Sequence, residues 1–392
     1  YGVNKFKNQF FPKSELKEFN SLLLRTSMAC WNNTLFKDGL TMELVENFSF
    51  EKTFVKPVVV YLNGNYWGIC DLRIRINEDY LKEKYDLDNS SINIIKVDLP
   101  DYPKHGSFDD FEPVYEFIKS NDLSKVSNYE VVSDKIDINV LIDYYVAEMY
   151  FSNYDWPGNN FTLWNSSEYD GKYRPIFYDL DGAWNDAEYN MFDHISQLVH
   201  EDWPNPKRVN IIFMKLLENE EFKSLFIERC IYHLENNLLA DNIKSKIDKY
   251  TLIYNTEIEN MNKRFSFPES RESWLVDVKK YLSEFNKKRE CIFRQNLMNY
   301  FNLDSNILCS VTSVDYNYNY SDQIYPNPAT EYIKLKVSEV VTDIEVLDLN
   351  GLIVNKIDNY TPEDIINISE FAPGIYFIRF NDQIFKFIKI NE

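Results

Sequence analysis

The sequence predicts an α+β chain in two parts: a large domain of mixed strands and helices that closes in a run of helices, then a small all-β sandwich. Three observations carry this reading. A β-branched and aromatic run turns through Asn63-Gly64 into a second such run. Apolar residues recur at helical spacing from about residue 207 to 300. After Leu303 the composition shifts to Asn, Tyr, Ser and Asp, and short alternating strands follow. A chain of 392 residues is too long for one average domain and suits this division.

Residues 1–50 read as mixed, with helical apolar spacing in SELKEFNSLLL and from Gly39 to Phe48. Val58 to Leu62 and Tyr66 to Ile74 form a hairpin, because Asn63 and Gly64 both tolerate positive φ. Residues 86–110 read as loops around a short strand, Ile92 to Val97. Ile138, Leu141, Ile142, Tyr145, Val146 and Met149 recur at i, i+3, i+4, i+7, i+8 and i+11, the signature of an amphipathic helix. It stops near Asn153, before Pro157 and Gly158. Phe161 to Trp164 and Arg174 to Leu180 read as strands around the polar turn SSEYDGK.

Helices are expected at 208–218, 221–238, 241–264 and 271–300, with SFPES breaking the last two. The large domain therefore spans 1–303, a linker 304–322, and the sandwich 323–392. Sandwich strands are expected at Ile333 to Val337, Ile344 to Asp348, Leu352 to Ile357, Ile375 to Phe380 and Ile384 to Ile390. Asn350-Gly351 and Pro373-Gly374 supply turns.

The bulk properties narrow the partners. A net charge of −20 repels nucleic acid and anionic lipid and attracts cations. No stretch approaches the roughly 20 consecutive apolar residues of a membrane span. Tyr1 is not an initiator and no signal-peptide pattern follows, which fits a fragment better than a processed chain. The five cysteines are scattered and show no CxxC spacing, so neither a zinc site nor a disulfide framework is indicated; one bridge remains open.

The segments that could do chemistry are NYDWPGNNFTLWN and RPIFYDLDGAW. Asp155 follows a helix, in a loop, and Asn160 comes five positions later. Asp179 and Asp181 end an apolar run, and residues two apart in a strand face one side, so both carboxylates can converge on one cation. Phosphoryl transfer needs such a kit: oxygen ligands for magnesium and a further carboxylate for the attacking hydroxyl. Asp155, Asn160 and Asp179 follow the order of a kinase catalytic loop and metal strand. Taken alone, the same residues also suit turn capping. Trp156, Trp164 and Trp184 read as packing rather than ligand stacking.

At these residues the sequence resembles the CotH family of spore-coat proteins related to protein kinases. LLLRTSMACWNNTLFKDGLTMELV, PVVVYLNGNYWGICDLRIRINEDYL, DYYVAEMYFSNYDWPGNNFTLW, RPIFYDLDGAW and FMKLLENEEFKSLFIERC carry the resemblance in order. It implies an atypical protein-kinase-like domain with a helical C-terminal part, using ATP with Mg²⁺ or Mn²⁺ on a surface or secreted protein. Asp155 would be the catalytic aspartate, and Asn160, Asp179 and Asp181 metal ligands. Arg25 and Arg75 would lie near the nucleotide phosphates. The chain departs where relatives have Glu-Lys and it has Ile74-Arg75, and where they have Gly-Asn-Asp and it has Ser27-Met28-Ala29-Cys30. Both departures touch the nucleotide side, so a kinase-like binding or structural module of a cell-surface assembly stays open beside the enzyme.

The last part resembles a type IX secretion sorting domain, through YPNPATEYIKL, VLDLNG, FAPGIYFIRF and IFKFIKI. That implies export across the outer membrane to the cell surface or medium, with residues 323–392 engaging the secretion machinery.

Overall fold

The computed structural model describes residues 5–97, 101–197, 207–303, 324–326, 329–337, 339–348, 352–380 and 383–390. The chain divides into two compact units, one of residues 1–247 with 257–312 and one of residues 313–392 with 248–256. The expected linker 304–322, Asn327, Pro328 and the Asn350-Gly351 turn lie outside the described residues.

In the large unit the Asn63-Gly64 turn forms as its residue types require. Asn63 and Gly64 have φ of 51° and 81°, and Leu62 pairs with Asn65 across a two-residue hairpin. The strands run Val55–Leu62 and Asn65–Ile74. A third strand, Leu22–Arg25, completes this antiparallel sheet by pairing with the far side of Asn65–Ile74, Arg25 opposite Asp71. The helical spacing read in SELKEFNSLLL is thus overturned. Pairing with a neighbouring strand outweighs local periodicity there, and Glu18–Phe19 is also a strand.

A short helix, Lys37–Leu44, follows with almost every residue buried. The second sheet has five strands, in the order Glu51–Lys52, Arg174–Phe177, Thr162–Ser166, Ile92–Lys96, Tyr102–His105. Against it lies the Ile138–Tyr150 helix, started by the Asp137 side chain, which accepts from the Val140 N–H. The apolar stripe read from the sequence is buried, but so are Asp143, Tyr144, Ala147 and Glu148 on its other faces. Only Asn139, in its first turn, is exposed, so the rest of the helix is enclosed. It ends at Tyr150, and Ser152, two residues on, has φ 51°.

Beyond residue 207 the helices are Lys207–Leu216, Glu220–Asn236, Ala240–Asn255, Ile258–Phe265, Arg271–Val278 and Glu284–Phe301. The stretch expected as one helix over 241–264 is two, and that over 271–300 contains a π-helical turn at Lys279–Ser283. Trp156, Trp164 and Trp184 are all buried and pack among aromatic neighbours. Cys30, Cys70 and Cys230 are free and buried, and Cys291 is disulfide-bonded; Cys309 lies outside the described residues.

The small unit has one three-stranded and one four-stranded sheet, Ile324–Tyr325, Tyr332–Leu335, Ile366–Asn367 and Ile353–Tyr360, Val341–Leu347, Gly374–Phe380, Gln383–Lys389. Both sheets feed one apolar core, including Ile333, Leu335, Ile344, Val346, Ile378 and Phe387. The buried Tyr360 hydroxyl ties them, accepting from the Leu335 N–H at 2.9 Å and donating to the Asp364 carbonyl at 2.7 Å. Among the described residues no helix is long and apolar enough to cross a membrane.

Candidate active site

A cleft of about 330 Å³ opens in the large unit, lined by Arg25, Met28, Ala29, Tyr154, Asp155, Asp179, Asp181, Gly182 and Asn185. Three pieces of chain build it. The end of the Leu22–Arg25 strand and the turn after it bring Arg25 to Ala29. The loop after the buried 138–150 helix brings Tyr154 and Asp155. The turn after the Arg174–Phe177 strand brings Asp179 to Asn185.

The strand argument for Asp179 and Asp181 fails in its premise. The strand ends at Phe177, and Asp179 has φ 65°, a left-handed conformation. What converges the two acids is partner geometry. The Arg25 guanidinium bonds Asp179 through Nη2, and the same nitrogen reaches Asp181 Oδ2 at 3.1 Å. Between them, the Leu180 N–H donates to Asp38 Oδ1 at 2.7 Å.

Asp38 was missed by sequence reasoning. It sits in the first turn of the 37–44 helix, 1% exposed. Arg73 pairs with its Oδ2 and Arg25 Nε approaches the same oxygen at 3.5 Å. Burial pushes its carboxyl up, but the Arg73 and Arg25 charges outweigh burial and hold it below the ordinary value. Arg73 also pairs with Asp71 at 2.7 Å. A buried lattice of two arginines and several carboxylates therefore backs the cleft.

Arg73, not Arg75, is the second arginine here. The strand ends at Ile74, so its pleat does not carry the inward-facing 71, 73 alternation to position 75. Arg75 is exposed and lines a different hollow, beside Leu16 to Ser21. Asn160, in the left-handed region at φ 67°, does not line the cleft but donates from Nδ2 to Asp155 Oδ2 at 3.1 Å. It orients Asp155 from behind.

Gly182 explains how the loops approach. A Cβ there would lie 3.0 Å from Asn153 Oδ1 and 3.0 Å from Asp155 Cβ. Behind them, the Asn153 Nδ2 donates to the fully buried Glu148 at 2.8 Å. Burial, then the nearby Asp179 and Asp155 charges, push Glu148 up to about 8. Arg289, also fully buried, donates to the Met149, Tyr150, Ala187 and Tyr189 carbonyls at 2.6 to 2.9 Å. It pins the end of the 138–150 helix to the segment after Asn185. No periodicity or motif marks Asp38, Glu148 or Arg289; Glu148 alone stands as a charge inside an apolar run, the one available signal.

The donor set bears on a divalent cation. Asp181 Oδ1 is buried and has no hydrogen-bond partner among the described residues. Burial, then the Asp38 and Asp179 charges, push its carboxyl up to about 7, which a cation would reverse. Among the described residues no three His, Cys, Asp or Glu side chains could hold a metal by themselves. Magnesium takes one or two carboxylates and completes its shell with water and phosphate oxygens, so Asp179 and Asp181 fit that ion.

Comparison with known proteins agrees with this architecture. Residues 1–293 match the family described as CotH kinase protein, and residues 323–390 the secretion system C-terminal sorting domain. No curated protein matches the chain. The sorting domain marks the chain for type IX export to the cell surface or medium. With three quarters of its length matched, the chain belongs to the CotH kinase family.

Proposed function

We propose that the large unit transfers a phosphoryl group from ATP to a secreted or surface protein, with Mg²⁺ or Mn²⁺ held at Asp179 and Asp181. The observation that carries this reading is the meeting of Arg25, Asp155, Asp179 and Asp181 in one cleft. A bound divalent cation would supply charge neutralisation at the phosphate oxygens. Asp155, half-buried and oriented by Asn160, accepts the proton of the attacking hydroxyl. Arg25, released from the acids, offers its guanidinium to phosphate oxygens. Asp38 holds the backbone between Asp179 and Asp181 so that the two carboxylates stay poised.

A second reading has one observation in its favour. Arg25 already neutralises both acids from within the chain, as a static ion-pair lattice would. In that case the unit is a kinase-like module of a surface assembly without turnover. Incubation of the full chain with γ-labelled ATP, Mn²⁺ and envelope protein separates the two. Label transfer that Asp155→Asn abolishes supports the enzyme; transfer undiminished in Asp155→Asn removes Asp155 from the chemistry.

A further inference from the structure

The 55–74 hairpin does not end flat. A register shift between Val60 and Tyr61 bulges its outer strand. Gly68, at φ 124°, lets the return strand lie on the Ile258–Phe265 helix, for a Cβ there would sit 3.1 Å from Phe265 Cε2 and 3.2 Å from Met261 Sδ. Between hairpin tip and helix lies an open cleft of about 700 Å³. Tyr61, Tyr66 and Trp67 wall one side, and Asn260, Lys263 and Arg264 the other.

Tyr61 is 63% exposed and Trp67 44%, large rings that release the most free energy when a partner covers them. The Arg264 guanidinium lies over the Trp67 ring at 4.9 Å and so holds a charge against that wall. Lys263 and Arg264 are exposed, and among the described residues neither has an ion pair. This is notable in a chain where 62 acidic residues outnumber 42 basic ones. Glu257 stands beside Tyr66 and Asn260 at one wall, but Lys263 and Arg264 outnumber it, and two adjacent cations beside exposed rings favour an anionic occupant. The Val55–Leu62 strand is also the edge of its sheet, so backbone groups stand beside the cleft for an extended chain to pair with. An extended polypeptide can continue that edge as a further strand, which a sugar cannot.

We propose that this cleft docks an acidic, aromatic-containing segment of a partner protein. It is separate from the catalytic cleft and stands whether or not the chain transfers phosphate. Trp67 and Asp71 are four residues apart on one strand, about 13 Å at the usual rise, so a docked protein would lie near Arg73 and the acids it backs.

The test is fluorescence anisotropy of a short labelled peptide rich in Glu with two Phe residues, titrated with the full chain. Its Gln-for-Glu counterpart is the neutral control, and an oligogalacturonate is the competing acidic sugar. Saturable binding in the micromolar range is expected, weakened at least about tenfold by Lys263→Glu with Arg264→Glu, and similarly by Trp67→Ala. High salt should weaken it as well. These side chains are exposed, so the variants should melt with the parent. Equal binding by the charge-reversed variant or of the neutral peptide overturns the proposal. So does the absence of binding, or binding of the oligogalacturonate but not the peptide.

Discussion

Asp38 and Leu180, 142 residues apart, are joined by a 2.7 Å hydrogen bond from the Leu180 N–H to a carboxylate that is sealed from water. Through it, one helix-borne acid sets the backbone between the two cleft carboxylates while also meeting Arg25 and Arg73. Replacing Asp38 with Asn leaves two arginines short of a counter-charge. A stability loss of about 3–5 kcal/mol is expected in urea denaturation. A loss under about 1 kcal/mol would mean that the lattice is not organised around Asp38.

Arg289 is the corresponding pin on the helical side. Arg289→Met strands the Tyr150, Ala187 and Tyr189 carbonyls, while that of Met149 keeps the bond it accepts from the Ser152 N–H. Denaturant midpoints should report a loss of about 3 kcal/mol or more. Arg289→Lys should recover part of it, since an ammonium reaches some but not all of those oxygens. Equal stability of parent and Met variant would contradict the assignment.

Glu148 gives the fold a pH dependence of known sign. The folded chain keeps its proton up to about pH 8 because the group is buried, whereas the unfolded chain releases it near the ordinary carboxyl value. Between those values the unfolded state binds fewer protons, so stability falls as pH rises, by roughly 1.4 kcal/mol per unit from this group. Above about 8 the loss is complete. Glu148→Gln should flatten the decline measured from about pH 5 to 8. An unchanged slope would place the titration elsewhere.

Gly182→Ala tests how closely the two loops must approach. The added methyl meets Asn153 Oδ1 and Asp155 Cβ at 3.0 Å, against side chains that are themselves held. A cost of about 1–3 kcal/mol is expected, with Asp155 displaced from the cleft. Amide chemical shifts at Asp155 and Asn160 that do not move would show that the contact is slack.

Legibility in the sequence followed how local the cause was. The Asn63-Gly64 hairpin, the 138–150 helix and the break at SFPES rest on residue types acting on their own backbone, and each could be read. Asp155, Asp179 and Asp181 could be picked out because they form short motifs. Strand parity does not account for the convergence of Asp179 and Asp181; Arg25 and the Leu180–Asp38 bond bring them together. Arg73 was missed for Arg75 because where a strand ends is set by neighbours, here Leu22 opposite Ile74. Leu22–Arg25 has helical apolar spacing, and only its pairing with Asn65–Ile74 makes it a strand. Asp38 and Arg289 act only through distant chain, and nothing within a few residues of them says so; Glu148 bonds Asn153 five residues on, but its burial is set by the fold around it.

Thermal melting of the full chain with and without saturating ATP and Mn²⁺ bears on the proposed site with the fewest assumptions. A ligand that binds only the folded state raises the melting temperature. The parent should melt several degrees higher with both present, Asp155→Asn should keep that rise, and Asp179→Asn should lose it. No rise in the parent, or a full rise in Asp179→Asn, would contradict a nucleotide–metal site at Asp179 and Asp181.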